Sequence, residues 1–407
     1  MNVFSGLDAG VRQYLMITGN YWAFTLTDGA LRMLVVLYFH ELGYSPLEIA
    51  LLFLFYEFFG VVTNLVGGWL GAVLGLNRTM NAGLMLQVAA LAMLLVPSTW
   101  LTVPWVMAAQ ALSGIAKDLN KMSAKSAIKL IVPDDASGAL FRWVAVLTGS
   151  KNALKGAGFF LGGLLLTTFG FAIAVATLAL SLTLVWCVSL LLLKRDLGRV
   201  ARKPAFAQVF SKSKPVNVLS AARFFLFGAR DVWFVVALPV FLSVELAWDH
   251  WRVGGFLALW VIGYGIVQAQ APRLMRLGTT PDGRTLQRLG WLLAIVPAAI
   301  AVLLAYSIAS ETVLPLGLLV FGALFALNSS VHSYLIVSFA TRESVSLDVG
   351  FYYMANAGGR LLGTVLSGWV FQQSGIVACL GFSALFVALS ALPAGVLPTR
   401  RSDSAQS

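Results

Sequence analysis

The chain has 407 residues, of which 59% are hydrophobic and only 11% charged, and its formal net charge is +11. A water-soluble domain is about a quarter charged, so this composition excludes a water-clothed globule. With a mean hydropathy of +0.85, the solvent of the folded chain must be lipid. Two cysteines far apart in apolar runs, Cys187 and Cys379, exclude a disulfide framework.

Apolar stretches long enough to cross a bilayer, about 20 residues each, recur along almost the whole chain. Twelve spans are predicted, at 13–39, 46–73, 79–97, 103–131, 140–167, 171–193, 216–244, 252–275, 287–307, 312–339, 348–372 and 375–397. Breaks fall at Gly43 to Pro46, Pro97, Pro133 with Asp134 and Asp135, Gly170, Pro272, Pro281 to Gly283, and Gly375. Helices are expected throughout, because lipid offers no partner to an open strand edge. Barrel strands would be about 10 residues of alternating polarity. The first apolar segment is read as a true span and not a cleaved leader. It contains Asp28 and Arg32 and has no A-x-A-like exit site.

In span 1, Asp28 and Arg32 lie one helical turn apart, so they either neutralise each other or both face a cavity. In span 2, Glu57 is a deep acid with no basic neighbour on its own helix; it is read as a proton-coupling group or as a partner across helices. Span 4 reads SGIAKDLNKMSAKSAIKLIVPD, and Lys117, Lys121, Lys125 and Lys129 recur along one slowly winding stripe. Lys117 and Lys121 fall deep, Lys129 should snorkel to headgroups, and Lys125 lies between the two readings. Asp118 is expected to pair with one of the deep lysines.

Span 5 reads TGSKNALKGAGFFLGG and places Lys151 and Lys155 on one face, with Asn152 beside them. The connection 194–215 carries Lys194, Arg195, Arg199, Arg202, Lys203, Lys212 and Lys214 against Asp196. It reads as an orientation signal in contact with anionic lipid headgroups, not as a nucleic-acid arm. In span 7, Arg230 and Asp231 point about 100° apart around the helix, so no simple pair between them is expected. Arg223 lies nearer the helix end and is read as snorkelling. In span 11, Arg360 has no acid one turn away and Asn356 precedes it by one turn. His332 reads as a hydrogen-bonded helix contact. Tyr21, Trp22, Tyr56, Trp233, Tyr264, Tyr352 and Tyr353, with Asn20, Asn64 and Gln268, are polar candidates for a cavity wall, each also readable as packing.

The basic connection divides the chain into an N-terminal six-helix bundle at 1–193, a linker at 194–215 and a C-terminal six-helix bundle with a short tail at 216–407. Traces of a repeat support the division. Asn152, Ala153 and Lys155 precede Gly158 and Gly162, as Asn356, Ala357 and Arg360 adjoin Gly359 and Gly363. Such small-residue steps allow close helix contact, and parallel repeats hold their cargo at the repeat interface. With the N-terminus inside, inner loops hold Arg12, Arg78, Arg142, Arg273, Arg276, Arg284, Arg288, Arg342, Arg400 and Arg401. Outer loops hold His40, Glu41, Glu245, Asp249 and Glu311, with Arg252 alone among the basic residues. This asymmetry predicts both termini in the cytoplasm.

Seven deep cations, Arg32, Lys117, Lys121, Lys151, Lys155, Arg230 and Arg360, face only four deep acids, Asp28, Glu57, Asp118 and Asp231. A charge at the bilayer centre costs about 2.5–3.5 kcal/mol on insertion scales. Pairing offsets four cations and leaves three that need another anion, which points to a carrier of a multiply charged anionic solute. The seven cations with Asn152 and Asn356 are the expected binding residues, and the four acids are expected to couple protons or to form structural ion pairs. The phosphate-loop pattern G-x-x-x-x-G-K-[ST], metal-ligand spacings and nucleophile elbows are absent, so no cofactor, metal or catalytic residue is expected. An importing exchanger of organophosphate for phosphate is the rival transport reading. A membrane enzyme acting on lipid phosphates is a second rival, but its acids would cluster in loops near headgroups, whereas these charges are deep.

Span 2 ends in Gly67-Gly68-Trp69-Leu70-Gly71-Ala72-Val73-Leu74-Gly75-Leu76-Asn77-Arg78, which resembles the loop 2–3 signature of the major facilitator superfamily at Gly68, Leu70 and Gly75. Ala72 replaces the usual acid and Arg78 stands for the usual basic pair, so the gating salt bridge of that signature is not reproduced. Gly158, Gly162 and Gly163 partly match the glycine pattern of exporters, with Phe159 where that pattern has proline. The stretches 19–40, 113–133, 148–163, 221–240 and 260–272 resemble the organoarsenical efflux permease family, ArsJ. That resemblance implies an all-α multi-pass carrier of the bacterial inner membrane, expected as a monomer. It also implies a functional partnership with a glyceraldehyde-3-phosphate dehydrogenase that forms 1-arseno-3-phosphoglycerate. The permease exports that ester, which carries about −3 to −4 from its phosphate and arsenate ends. Two six-helix halves would rock around a midplane site to move it.

Overall fold

The computed structural model describes residues 9–44, 52–131, 137–193, 213–248, 250–275 and 280–398. Linker positions 194–212, the Pro133 to Asp135 turn, Pro46, Asp249, Arg276, Arg400 and Arg401 lie outside the described residues. Among the described residues the regular structure is entirely helical: α1 (Ala9–Glu41), α2 (Leu54–Leu74), α3 (Leu76–Met93), α4 (Val103–Ile131), α5 (Ser137–Leu192), α6 (Lys214–Phe234), α7 (Ala237–Val244), α8 (His250–Leu274), α9 (Gly283–Ala305), α10 (Ser310–Phe339) and α11 (Val345–Ala394), with one 3₁₀ turn at Ser98–Trp100.

Eight described segments are long and apolar enough to cross a membrane. Two of these are double. Gly170 breaks α5 at φ 72° and Gly375 breaks α11 at φ 70°, a left-handed backbone that glycine adopts without steric cost. These are two of the breaks expected from the sequence. The less apolar helices α3 and α4 complete a twelve-span membrane fold. Gly75, at φ 94°, ends α2 and opens α3 directly, so the third helix starts earlier than expected. The expected span 216–244 is also interrupted. A turn parts α6 from α7, and Ser367 Oγ accepts the backbone N–H groups of Val236 and Ala237 freed there.

The described residues fall into two compact units. Unit 1 comprises Met1–Ala136, Ser150–Phe210 and Ala340–Met354, and unit 2 comprises Ser137–Gly149, Ser211–Phe339 and Ala355–Ser407. In unit 1, α4 packs against α1, α2 and α3. The α1–α5 contact is made through glycine: a Cβ on Gly158 would stand 2.6 Å from the carbonyl oxygen of Leu26. In unit 2, α10 packs against α6, α8 and α9, and a Cβ on Gly363 of α11 would stand 2.7 Å from the carbonyl oxygen of Gly228 on α6. Its core is aromatic: Trp233 meets Trp260 edge-on at 5.8 Å and Phe321 at 5.2 Å. With lipid as solvent, such dispersion contacts and close backbone approach supply most of the helix association. Large apolar side chains such as Leu180, Leu191 and Ile295 are exposed, as a lipid-facing surface requires.

Candidate functional site

In unit 1 the charges of four helices meet around one tyrosine. Tyr56 on α2 is buried and its hydroxyl donates to Asp28 Oδ1 of α1 at 2.7 Å. Lys155 Nζ of α5 lies 3.6 Å from the other oxygen of Asp28. Glu57, next to Tyr56, receives Arg32 Nη2 at 3.4 Å and Lys117 Nζ at 3.9 Å. The Tyr56 ring itself lies under both cations, 3.8 Å from Lys117 Nζ and 4.8 Å from the Arg32 guanidinium. A ring face attracts cations most strongly where water is excluded. Tyr56 therefore binds cations with its face and an anion with its edge.

Asp28 and Arg32 do not neutralise each other. Both turn to partners on other helices, which leaves Glu57 as a partner across helices. One turn further along α4, Lys121 Nζ sits 2.6 Å from Asp118 Oδ1, the expected pairing of Asp118 with a deep lysine. Lys121 and Lys125 also lie 4.6 Å and 5.2 Å from the Tyr353 ring centre. Lys125 is buried. Lys151 donates to Asn152 Oδ1 at 3.2 Å.

The glycine signature region also belongs to unit 1. Gly68 accepts Ser346 Oγ at 2.6 Å, and a Cβ on Gly68 would lie 3.1 Å from Gly350 Cα, so α2 and the start of α11 touch through backbone. Arg78 is exposed and lines an open cavity of about 400 Å³ with Asn77, Asn81, Leu190 and Leu193, none of which belongs to the ionic cluster.

In unit 2 a single buried carboxylate serves two guanidiniums. Asp231 Oδ1 accepts Arg230 Nε at 2.6 Å, and Asp231 Oδ2 accepts Arg360 Nε at 3.1 Å. The contact between neighbouring Arg230 and Asp231 corrects the sequence expectation. A Cβ direction 100° away does not prevent pairing, because the long arginine side chain folds back around the helix. Arg360 likewise finds its acid on another helix and not on its own. Arg223 corrects a second expectation. It does not reach a headgroup but is buried, donating to Asn356 Oδ1 at 2.8 Å and Ser329 Oγ at 2.9 Å, 3.9 Å above the Phe227 ring. Asn356 thus orients Arg223. His332 is buried as expected for a helix contact, yet its Nδ1 has no hydrogen-bond partner among the described residues.

The sequence reading treated Tyr56 and Tyr353 as packing candidates and discounted Arg223. The available signals were short ones. Tyr56 adjoins the deep acid Glu57, and Arg223 stands two turns before Arg230 on the same face of α6.

Six of the seven deep cations touch a carboxylate, yet only four carboxylates serve them, because Glu57 and Asp231 are each shared by two. Each unit therefore holds a cluster in which cations outnumber acids. Such an array, partly desolvated and ordered by aromatic rings, can bind an anion through charge-assisted hydrogen bonds.

The fold recurs in proteins of remote sequence. The human organic anion transporter MFSD10 (TETRAN) superposes with a TM-score of 0.76 at 15% identity, over 95% of this chain and 100% of that one. A bacterial homologue of the iron transporter ferroportin, in an outward-facing state, gives 0.75 at 13% identity, over 94% and 98%. The fucose:proton symporter FucP of E. coli gives 0.73 at 12%, over 95% and 99%. At these identities the likeness speaks for fold and not for cargo. No curated protein matches the chain in sequence. Residues 17–281, more than half of the chain, match the family model of the Major Facilitator Superfamily. This chain, with its multi-pass helical fold, belongs to the Major Facilitator Superfamily and is a secondary membrane transporter.

Proposed function

We propose that the transporter exports an anionic organoarsenical, 1-arseno-3-phosphoglycerate, from a bacterial cytoplasm and so confers tolerance to arsenate. The observation that carries this reading is the cation excess. Arg32, Lys117 and Lys155 share Asp28 and Glu57, and Arg230 and Arg360 share Asp231. A cargo with phosphate at one end and arsenate at the other supplies the missing negative charge. Arginine suits both groups, because its planar fork meets two oxygens at once. The likeness of five long stretches to the ArsJ family adds the identity of the ester and its supply by a glyceraldehyde-3-phosphate dehydrogenase inside the cell.

In this reading Lys117, Lys121, Lys151, Lys155, Arg32, Arg230 and Arg360 attract the anionic groups, and Asn152 and Asn356 orient Lys151 and Arg223. Asp28, Glu57, Asp118 and Asp231 keep the cations in place between cargo events or carry a coupling proton. The working protein is a monomer of the inner membrane with both termini in the cytoplasm. A membrane potential negative inside favours anion exit by about 2.3 kcal/mol per charge per 100 mV, so export needs no proton.

Everted membrane vesicles test the proposal. They should accumulate the arsenylated ester, and 3-phosphoglycerate should compete. Uptake of the ester into right-side-out vesicles in exchange for internal phosphate, with none into everted ones, would instead establish the importing exchanger.

A further inference from the structure

We infer that unit 2 contains a separate subsite for one tetrahedral oxyanion group, phosphate or arsenate, built by Arg223, Tyr264 and Gln268 around the point that Ser329 Oγ now occupies. The inference deepens the anion-carrier reading and rests on it.

Three donors from two helices converge on that one oxygen. Arg223 Nη1 of α6 lies at 2.9 Å, Tyr264 Oη of α8 at 3.1 Å and Gln268 Nε2, one turn further on α8, at 3.3 Å. A hydroxyl oxygen has two lone pairs and brings a hydrogen of its own, so Ser329 cannot satisfy the group. If it donates to Tyr264, the phenol hydrogen is left over; if it accepts from all three, its lone pairs are exceeded. The cluster is donor-rich at a buried point: Ser329 and Gln268 are fully buried, and Tyr264 and Arg223 nearly so.

A guanidinium stays charged in any protein environment, and both oxygens it meets here, Asn356 Oδ1 and Ser329 Oγ, are neutral. Asn356 fixes Nε, which aims Nη1 at the convergence point. Phe227 closes one face of the guanidinium at 3.9 Å. His332 stands one turn beyond Ser329 on α10, 1% exposed, and its Nδ1 has no partner among the described residues. Buried polar atoms without partners are rare and call for an explanation. An anionic oxygen in place of the hydroxyl accepts all three donors and gains charge-assisted strength. Ser329 is then a resident stand-in that a cargo oxyanion displaces.

The test uses the purified full chain in detergent, with inorganic phosphate and arsenate as probes, read by thermal unfolding and by tryptophan fluorescence. The wild type should show saturable protection by either ion. Arg223→Lys keeps the charge but loses the fork and should weaken the ion affinity about tenfold or more. Ser329→Asp supplies an internal carboxylate at the convergence point, so it should raise the unfolding temperature and abolish the phosphate-dependent shift. Folded Ser329→Asp protein that still responds to phosphate like the wild type would overturn the subsite. So would unchanged affinity in Arg223→Lys. Arg360→Gln separates the two claims: loss of ion binding in Arg360→Gln with none in Arg223→Lys or Ser329→Asp removes this subsite and leaves the carrier reading intact. A wild type insensitive to both ions removes both.

Discussion

Lys155 of α5 and Asp28 of α1 form an ion pair at 3.6 Å beside the point where the two helices touch through Gly158 and Gly29. Unit 2 repeats the arrangement with different residues. Arg360 of α11 meets Asp231 of α6 at 3.1 Å, beside the contact of Gly363 with Gly228. In both units a close backbone approach brings a basic side chain onto an acid of the partner helix. Removing one member leaves an uncompensated charge, which for a buried pair costs on the order of 3 kcal/mol. The double change Asp28→Asn with Lys155→Gln should therefore recover most of the unfolding temperature lost in each single variant. Transport should stay impaired in the double variant, because the cation is still missing. Recovery of both properties together would show Lys155 to be structural only.

Arg360 is expected to act through its fork. Arg360→Lys retains a positive charge near Asp231 but cannot hold the carboxylate and a cargo oxygen in one plane. The half-saturating cargo concentration should rise about tenfold, as expected for loss of one hydrogen bond to a charged group, while membrane abundance holds. Arg360→Gln should abolish transport. Equal transport by the lysine and arginine proteins would rule out the geometric role.

Much of this was legible from residues alone, and the remainder failed for one reason. The kinks at Gly170 and Gly375 were readable because glycine in a long apolar run marks a turn. The deep cations were readable because charge inside a span is rare. What period 3.6 cannot give is the partner on another helix. It suggested Asp28 with Arg32, whereas the fold joins Asp28 to Lys155 and Arg32 to Glu57. It separated Arg230 from Asp231 by Cβ direction and overlooked the reach of the side chain. Arg223 was assigned by depth, and depth does not reveal that Asn356 and Ser329 wait beside it.

The glycine contacts give a graded prediction. A Cβ at Gly158 would stand 2.6 Å from Leu26 O and 3.1 Å from Gly29 Cα, both backbone atoms that cannot step aside. At Gly163, five residues on, a Cβ would meet only Leu37 Cδ1 at 3.8 Å, an ordinary contact. Gly158→Val should lose folded protein in detergent, and Gly163→Ala should be close to neutral or slightly stabilising, since alanine favours the helix by about 1 kcal/mol. Fluorescence-detected size exclusion separates the two. Equal yields for both variants would mean that α1 and α5 do not pack as described.

Tyr56 carries two interactions that substitutions can separate. Tyr56→Phe keeps the ring under Lys117 and Arg32 and removes only the hydrogen bond to Asp28 Oδ1. A hydrogen bond to a charged group contributes about 1.5–3 kcal/mol. Tyr56→Leu also removes the ring face, worth about 0.5–2 kcal/mol for each cation depending on desolvation. Unfolding temperature should thus fall in two steps, wild type to phenylalanine to leucine. Cargo affinity should follow a different order. The phenylalanine variant leaves Lys117 and Arg32 held by the ring, so binding through those cations persists, whereas the leucine variant releases them and weakens binding further. If phenylalanine and leucine reduce affinity equally, the ring does not position the cations, and the hydroxyl acting on Asp28 is what matters to the cluster.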